Sequence, residues 1–294
     1  MTRHIPVLLE DVLNNLDIQK DDIVLDGTAG FGGHSEQLLN KLDTSGTLIC
    51  CDQDKVAIEH CKTKFDSHNN VLFYNINYSS IFDVLKKQKS KPPNKILIDL
   101  GFSSFQLDSA GRGFSFLQDE PLDMRMDTSK SQTAAKILNA YNKNELSDLF
   151  FNNGELYHNK KLSENIVIER KKQKIETTFQ LVEIIKKSYF FSNSRKQYMK
   201  VSSQIFQALR IEVNKEFDHM LKFLQHAIDN LPPEGRIAII TFHSTEDRLV
   251  KQLFKPLKKT IAPIHKKVIQ ATQEEIRLNS RSKPAKLRTY IKVA

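Results

Sequence analysis

The chain has 294 residues, enough for two modest domains or one domain with a large insertion, and its 39% apolar and 27% charged residues are those of a soluble globular protein. No apolar run nears the roughly 20 residues of a bilayer span, and the acids of MTRHIPVLLED stand where a signal peptide has its apolar core, which excludes a membrane partner and points to the cytoplasm. The net charge of +9 is concentrated: residues 251–294 hold 12 Lys and Arg against 2 acids, whereas residues 1–100 hold 11 against 14, so a polyanion such as nucleic acid is favoured over a merely solubilising tail.

In chain order, an amphipathic stretch at Val7–Leu16 reads as a helix. Short apolar runs at Ile23–Leu25, Thr47–Cys51, Val71–Tyr74 and Ile96–Leu100 then read as buried parallel strands. Helical patterns at His34–Leu42, Asp54–Phe65 and Ser79–Gln88 separate them, and this alternation predicts a doubly wound α/β sheet. Residues 101–130, rich in Gly, Ser, Asp and Arg, read as an ordered functional loop. From about Ser131 to Asn214 the pattern is helical throughout. The α/β alternation resumes with a helix at Phe217–Leu231, a strand at Arg236–Phe242, a helix at Glu246–Lys255 and a last strand at Leu287–Val293. A helical insertion thus splits one α/β domain. The expected division is 1–104 with 215–294 for the sheet domain, and 105–214 for the insertion.

IVLDGTAGFGGHS, residues 23–35, holds the strongest local signal. A strand ends in Asp26, and Gly27, Gly30, Gly32 and Gly33 form a turn before a helix that starts near His34. The spacing G-x-x-G-x-G-G is not the dinucleotide GxGxxG, so the turn suits a ligand without a pyrophosphate. Asp52 ends the second strand, where a carboxylate can accept both ribose hydroxyls of an adenosine; capping the next helix is the structural alternative, which Asp54 could serve as well. Asp99 ends the fourth strand. Three acids closing strands support an adenosine cofactor, and on these residues alone S-adenosylmethionine (SAM) and NAD stay equally open.

Longer motifs then occur in a fixed order: HIPVLLEDV (4–12), DGTAGFGGHS (26–35), DQDKVAI (52–58), LIDLGFSSFQLDSAGRGFSF (97–116), PLDMRMD (121–127), FQALRIEVNKEF (206–217), GRIAIITFHSTEDRLVK (235–251) and RSKPAKLR (281–288). This series closely resembles the bacterial 16S ribosomal RNA cytosine-N4 methyltransferase family RsmH, formerly MraW, over nearly the whole chain. The resemblance implies a class I, Rossmann-like SAM-dependent methyltransferase sheet split by an inserted all-helical substrate-recognition domain. It implies methyl transfer to the N4 of a decoding-centre, P-site cytosine of 16S rRNA in the small ribosomal subunit. By that analogy Gly32, Gly33 and His34 lie along the methionine and ribose of SAM, Asp52 binds the ribose hydroxyls, Tyr78 and Asp99 flank the adenine, and Gln106 reaches the cofactor from the substrate side. For His34, simple space-filling in the first helical turn is the alternative. No metal is implied, and the oligomeric state stays open, a homodimer among the options.

The chain departs from the family pattern in places. Phe105 stands where the family usually has proline, KVSSQ (200–204) replaces a His-Pro-Ala-Thr-Arg-like run, GELYHNKKLSEN (154–165) weakens the helical-domain pattern, and Ser280, Lys283 and Pro284 replace a usual Pro, Arg and Ser. These bear on RNA contact and substrate stringency, not on the cofactor acids.

The chemistry asks for in-line positioning and for acceptors on the two N–H bonds of a weakly nucleophilic amine. The Pro-Pro-aromatic segment that many amino-methyltransferases use is missing, so Asp99 and Ser103 are the candidate acceptors. A covalent route through cysteine is disfavoured, because Cys50, Cys51 and Cys61 fall in the second strand and the helix after it. These three form no CxxC pair, which argues against a zinc site or a disulfide framework. Asp123, Arg125, His243, Ser244 and Asp247 are candidates for contact with a flipped-out base or its phosphates. An internal Arg125–Asp247 ion pair is the structural alternative for two of them. Ser202, Ser203, Gln207 and Arg210 are expected at the join between domains. The competing functions are a non-catalytic RNA-binding assembly factor, a nicotinamide-dependent oxidoreductase and a DNA methyltransferase.

Overall fold

Eight short strands are found among the described residues of the computed structural model, which are 6–101, 111–191 and 194–293: β1 (Ile23–Asp26), β2 (Thr47–Asp52), β3 (Val71–Asn75), β4 (Lys95–Asp99), β5 (Arg236–Thr241), β6 (Ile261–Pro263), β7 (Ile269–Gln270) and β8 (Lys286–Lys292). They form one mixed sheet in the order β3-β2-β1-β4-β5-β8-β6, with β7 also paired to β8. The first five strands are parallel; β8 runs antiparallel to β5, β6 and β7. This is the doubly wound arrangement that the alternation in the sequence predicts, and the reversal of strand order at β1, with β2 on one side and β4 on the other, places the ligand crevice at the carboxyl ends of those strands. Val24, Leu25, Ile96, Leu97, Ala238 and Ile239 are almost wholly buried, as strands covered by helices on both faces require.

The chain divides into two compact units, Met1–Gly101 with Asp218–Ala294, and Phe102–Phe217. The first holds the sheet. Its helices include Leu9–Leu16, Gly33–Leu39, Lys55–Lys64, Ile81–Lys87, Ser244–Phe254 and Gln273–Leu278, while the helix Glu216–Asn230 begins just before the division. The second is built, in its described residues, on the helices Ala134–Ala140, Lys143–Gly154, Lys160–Lys172, Thr178–Ser188 and Arg195–Asn214. Leu138, Phe150, Leu162, Ile166, Leu181 and Leu209 form its own apolar core, each at 0% exposure. Capping boxes at Asn142 and Thr177 start two of these helices by satisfying backbone N–H groups that have no partner inside the helix. No helix among the described residues is long and apolar enough to cross a membrane.

Two motifs lock together inside the helical unit. Met124 of LDMRMD adopts φ +58 while fully buried, a strained conformation for a side-chain-bearing residue. Asn214, the last residue of Arg195–Asn214, holds it. Asn214 Nδ2 donates to the Met124 carbonyl at 2.8 Å, and its Oδ1 accepts the Met126 N–H at 2.7 Å. Arg210, expected at the join, forms a two-pronged bond with Glu216 at 2.8 and 2.9 Å.

Three elements near the C-terminus have no counterpart in the sequence reading: β6, β7 and the helix Gln273–Leu278. Two and three residues give no periodicity to detect, and Pro263 argues against a strand everywhere but at an edge, where β6 lies. β8 is anchored sideways by a buried acid. Arg288 Nε donates to Asp247 Oδ1 at 2.6 Å, tying β8 to the helix Ser244–Phe254. Asp247→Ala leaves that guanidinium, only 15% exposed, without its carboxylate, and should lower stability by about 2–4 kcal/mol, read as a drop in the urea midpoint. Lys251→Ala removes a half-exposed ammonium 3.7 Å from the same carboxylate and should cost under about 1 kcal/mol.

Candidate cofactor and substrate site

An acid closes each of β1, β2 and β4, and each has a different task. Asp26 is 1% exposed. Its Oδ2 accepts from Ser35 Oγ at 2.6 Å and its Oδ1 from the Thr28 N–H at 3.2 Å. Burial holds its carboxyl above the ordinary carboxylate range and the Asp99 charge adds to that, while the Ser35 bond opposes it. Both oxygens therefore serve the turn that follows.

The turn is shaped by two glycines at positive φ, Gly30 (+51) and Gly32 (+73). At Gly32 the space is also closed: a Cβ there would lie 3.0 Å from Phe65 Cζ and 3.2 Å from Cys61 Sγ. Around Gly30 the nearest atom to such a Cβ is 4.0 Å away. The carbonyls of both glycines are held by the helix Lys55–Lys64. Cys61 Sγ donates to the Gly30 oxygen at 3.2 Å, and Lys64 Nζ donates to the Gly32 oxygen at 3.0 Å and to Glu36 at 3.0 Å. Gly33 and His34 open the helix Gly33–Leu39. His34, 8% exposed, has Nε2 3.0 Å from the Val7 carbonyl oxygen, so its ring fastens the N-terminal segment to the turn.

Asp52 is the acid poised for a ligand. Its Oδ2 accepts the Gly30 N–H at 2.9 Å and its Oδ1 the Asp54 N–H at 2.8 Å, which leaves each oxygen a further lone pair. Burial pushes its pKa up to about 6 against the pull of those backbone bonds. A partly desolvated carboxylate that fixes the glycine turn and retains acceptor capacity suits the hydroxyls of a ribose. Asp54 caps the helix Lys55–Lys64 by accepting the Val56 N–H at 2.8 Å, so the capping role falls to it and not to Asp52.

Asp99 closes β4. Its backbone N–H donates to Thr28 Oγ1 at 2.7 Å, and its Oδ1 accepts the Gly101 N–H at 2.9 Å. Tyr78 begins a 3₁₀ turn after β3, its ring edge-on to Phe223 at 5.4 Å. Phe223 in turn lies 3.3 Å from where a Gly27 Cβ would sit, so one ring backs both the glycine turn and Tyr78. Ser103 and Gln106 lie outside the described residues.

The substrate candidates fall into two groups. In the helical unit, Arg125 Nε and Nη2 each bond an Asp123 oxygen at 2.7 Å, and its Nη1 donates to the carbonyls of Thr128 and Lys130. The bond from Arg125 lowers the Asp123 carboxyl below its ordinary value. In the sheet unit, Asp247 bonds Arg288, so Arg125 and Asp247 each have an ionic partner within their own unit. His243 caps the helix Ser244–Phe254 in a reciprocal box: its Nδ1 accepts the Glu246 N–H, and Glu246 accepts the backbone N–H groups of Phe242 and His243. Ser244 is exposed at that helix start. The sequence reading missed Thr28, Lys64 and Phe223. Only Thr28, inside DGTAG, lay in a stretch already singled out.

The three thiols are buried and unpaired with one another. Burial raises the Cys50 and Cys51 thiols far above their ordinary range and pushes Cys61 up to about 12. None is suited to attack a pyrimidine ring as a thiolate.

A family model described as the MraW methylase family matches residues 1–293. The chain belongs to that family. Two proteins of Clostridium botulinum, from strains Loch Maree and Kyoto and each named Ribosomal RNA small subunit methyltransferase H, are 40% identical to it over 308 residues, covering 99% of both chains. A solved rRNA methylase of Streptococcus thermophilus aligns over 100% of this chain and 99% of its own at 10% identity, with a TM-score of 0.47 that is too low to argue from. As a MraW-family methylase the chain uses SAM as its cofactor. In the helical unit Gln204 of KVSSQ donates to the carbonyl of Gly154, the first residue of GELYHN, at 3.0 Å. A Cβ on Gly154 would lie 2.7 Å from the Gln204 carbonyl oxygen, so the two segments fit each other closely.

Gly32→Ala combines a strained φ with a clash and should cost about 1–3 kcal/mol by thermal melting. Adding Phe65→Leu should relieve the clash but not the φ, so the double variant should lose less than the sum of the two single losses.

Proposed function

We propose that the chain transfers the methyl group of SAM to the exocyclic N4 of a decoding-centre cytosine in the 16S rRNA of the small ribosomal subunit. The observation that carries the reading is the convergence of Asp26, Asp52 and Asp99 on one glycine turn whose spacing lacks the dinucleotide pattern. The name borne by relatives 40% identical over 99% of their length supports small-subunit rRNA as the substrate. A cytoplasmic location goes with that substrate. No feature of the described residues calls for a homodimer.

In this reading Gly32 and Gly33 present backbone to the methionine and ribose part of SAM, and His34 orders the segment beside them through Val7. Asp52 accepts the ribose hydroxyls, Tyr78 and Asp99 flank the adenine, and Gln106 approaches from the substrate side. SAM supplies an electrophilic methyl on a sulfonium. The amine of cytosine is a poor nucleophile because its lone pair is delocalised into the ring. Acceptors that hold its N–H bonds favour the tetrahedral geometry needed for in-line attack, and we assign that role to Asp99 and Ser103. Asp123, Arg125 and Asp247 are assigned to contact with the flipped-out base or its phosphates. His243 and Ser244, at a helix start, are assigned to the same contact. The basic segments 251–267 and 277–288 run along rRNA phosphates.

Labelled SAM incubated with purified small subunits lacking their own modification should yield N4-methylcytidine by nucleoside mass spectrometry, and Asp99→Ala should reduce it at least about a hundredfold. A second reading, a non-catalytic assembly factor that keeps the pocket, is favoured by KVSSQ at 200–204. SAM binding without transfer would select it.

The raised pKa of Asp52 gives a pH dependence of definite sign. The ionised carboxylate is the form that accepts two hydroxyls, so SAM affinity should be constant above about pH 6 and fall as pH drops below it. The fall approaches about tenfold per pH unit. Calorimetric titration should show this slope in the parent chain and its absence in Asp52→Asn.

A further inference from the structure

The helical unit carries an aromatic-walled groove that neither the cofactor site nor the motifs account for. It is open to solvent, has a volume of about 320 Å³, and is lined by Lys186, Phe191, Ser194, Arg195 and Tyr198. Its rings are held rigidly edge to face: Phe191 and Tyr198 have centroids 5.4 Å apart at 87°, and Phe116 backs Tyr198 at 6.3 Å and 87°. Beside it Phe190 is 87% exposed. A ring that bare, next to a lined groove, contributes nothing to the core it borders.

The stretch of chain that lines the groove is basic. Between Glu183 and Glu212 the chain holds six Lys and Arg and no Asp or Glu. Arg195 is exposed and has no ion-pair or hydrogen-bond partner among the described residues, and Lys186 has only the exposed Glu183, at 2.7 Å. An apolar peptide would match the rings but gain nothing from the exposed Arg195 at their edge. A duplex would match the rim but hides its base faces. Unpaired nucleotides offer both flat apolar rings and a phosphate at every step.

We propose that this groove binds an unpaired RNA segment, with bases stacking on Phe191 and Tyr198 and phosphates meeting Arg195 and Lys186. It rests on the reading of the chain as an RNA methyltransferase and extends it from the methylated base to a holding site for the strand around it.

The test uses the full chain and two fluorescein-labelled probes, a short unpaired RNA oligonucleotide and a blunt RNA duplex of the same length. Phe191→Leu keeps apolar volume and removes the ring, whereas Arg195→Ser changes only an exposed charge and leaves folding untouched. By anisotropy, Phe191→Leu should weaken single-strand binding about tenfold and leave duplex binding unchanged. Arg195→Ser should weaken single-strand binding and lower its dependence on salt. A 4-thiouridine probe should crosslink to the peptide carrying Phe191 and Tyr198. Unchanged single-strand affinity in both variants, equal losses on strand and duplex for Phe191→Leu, or crosslinks confined to other peptides would each overturn the proposal. SAM binding and methyl transfer on the same preparations keep the two readings apart. Absent transfer with the expected strand binding sinks the catalytic reading alone, and intact transfer without it sinks the groove.

Discussion

A hydroxyl donating to a buried carboxylate holds the cofactor end of this molecule together. Ser35 and Asp26, 2.6 Å apart, fasten the end of the central strand to the first turn of the following helix and fix the path of the glycine turn between them. A carboxyl group with almost no exposed surface loses its hydration, and the bonds from Ser35 and the Thr28 amide offset that cost only while the turn keeps its shape. Everything downstream inherits this geometry. With the Gly30 and Gly32 carbonyls gripped by Cys61 and Lys64, and the Gly30 amide by Asp52, the turn has little freedom left. A ligand then meets a surface already organised, and loses little of its binding energy to ordering the protein.

How far the site could be read from sequence depends on the range of the forces that build it. Asp26, Asp52 and Asp99 were legible because each ends an apolar run, and a parallel sheet brings such ends together. Phe223 was not, because its contact with Gly27 joins residues nearly two hundred positions apart and leaves no local pattern. Lys64 was hidden for a related reason: it looks like any lysine in the last turn of a helix, and its value lies in a carbonyl 3.0 Å away. The Arg125–Asp247 pair shows the limit of charge matching. Arg125 found an acid two residues away and Asp247 an arginine on the neighbouring strand, because pairs that need little additional ordering form first in free-energy terms. β6 and β7 escaped because strands of two or three residues carry no alternation.

The two units are stabilised by different means. In the sheet unit, apolar strands are covered on both faces and polar groups gather at one edge of the turn system. In the helical unit the core is a cluster of leucines, isoleucines and phenylalanine, and the polar work is concentrated in single residues such as Asn214, which satisfies a strained loop through its side chain. The fit of Gly154 against Gln204 is as close: a side chain at 154 would meet the Gln204 carbonyl oxygen, so change at one position constrains the other.

The burial of Cys50, Cys51 and Cys61 has a practical side. All three thiols are buried and their pKa values are raised by that burial, so the native chain should react slowly with maleimides and oxidants. One cysteine introduced on an exposed helix face of each unit would therefore give the two thiols that spin labels or fluorophores reach. The molecule comes ready for distance measurements between its two units without any of its own cysteines being removed.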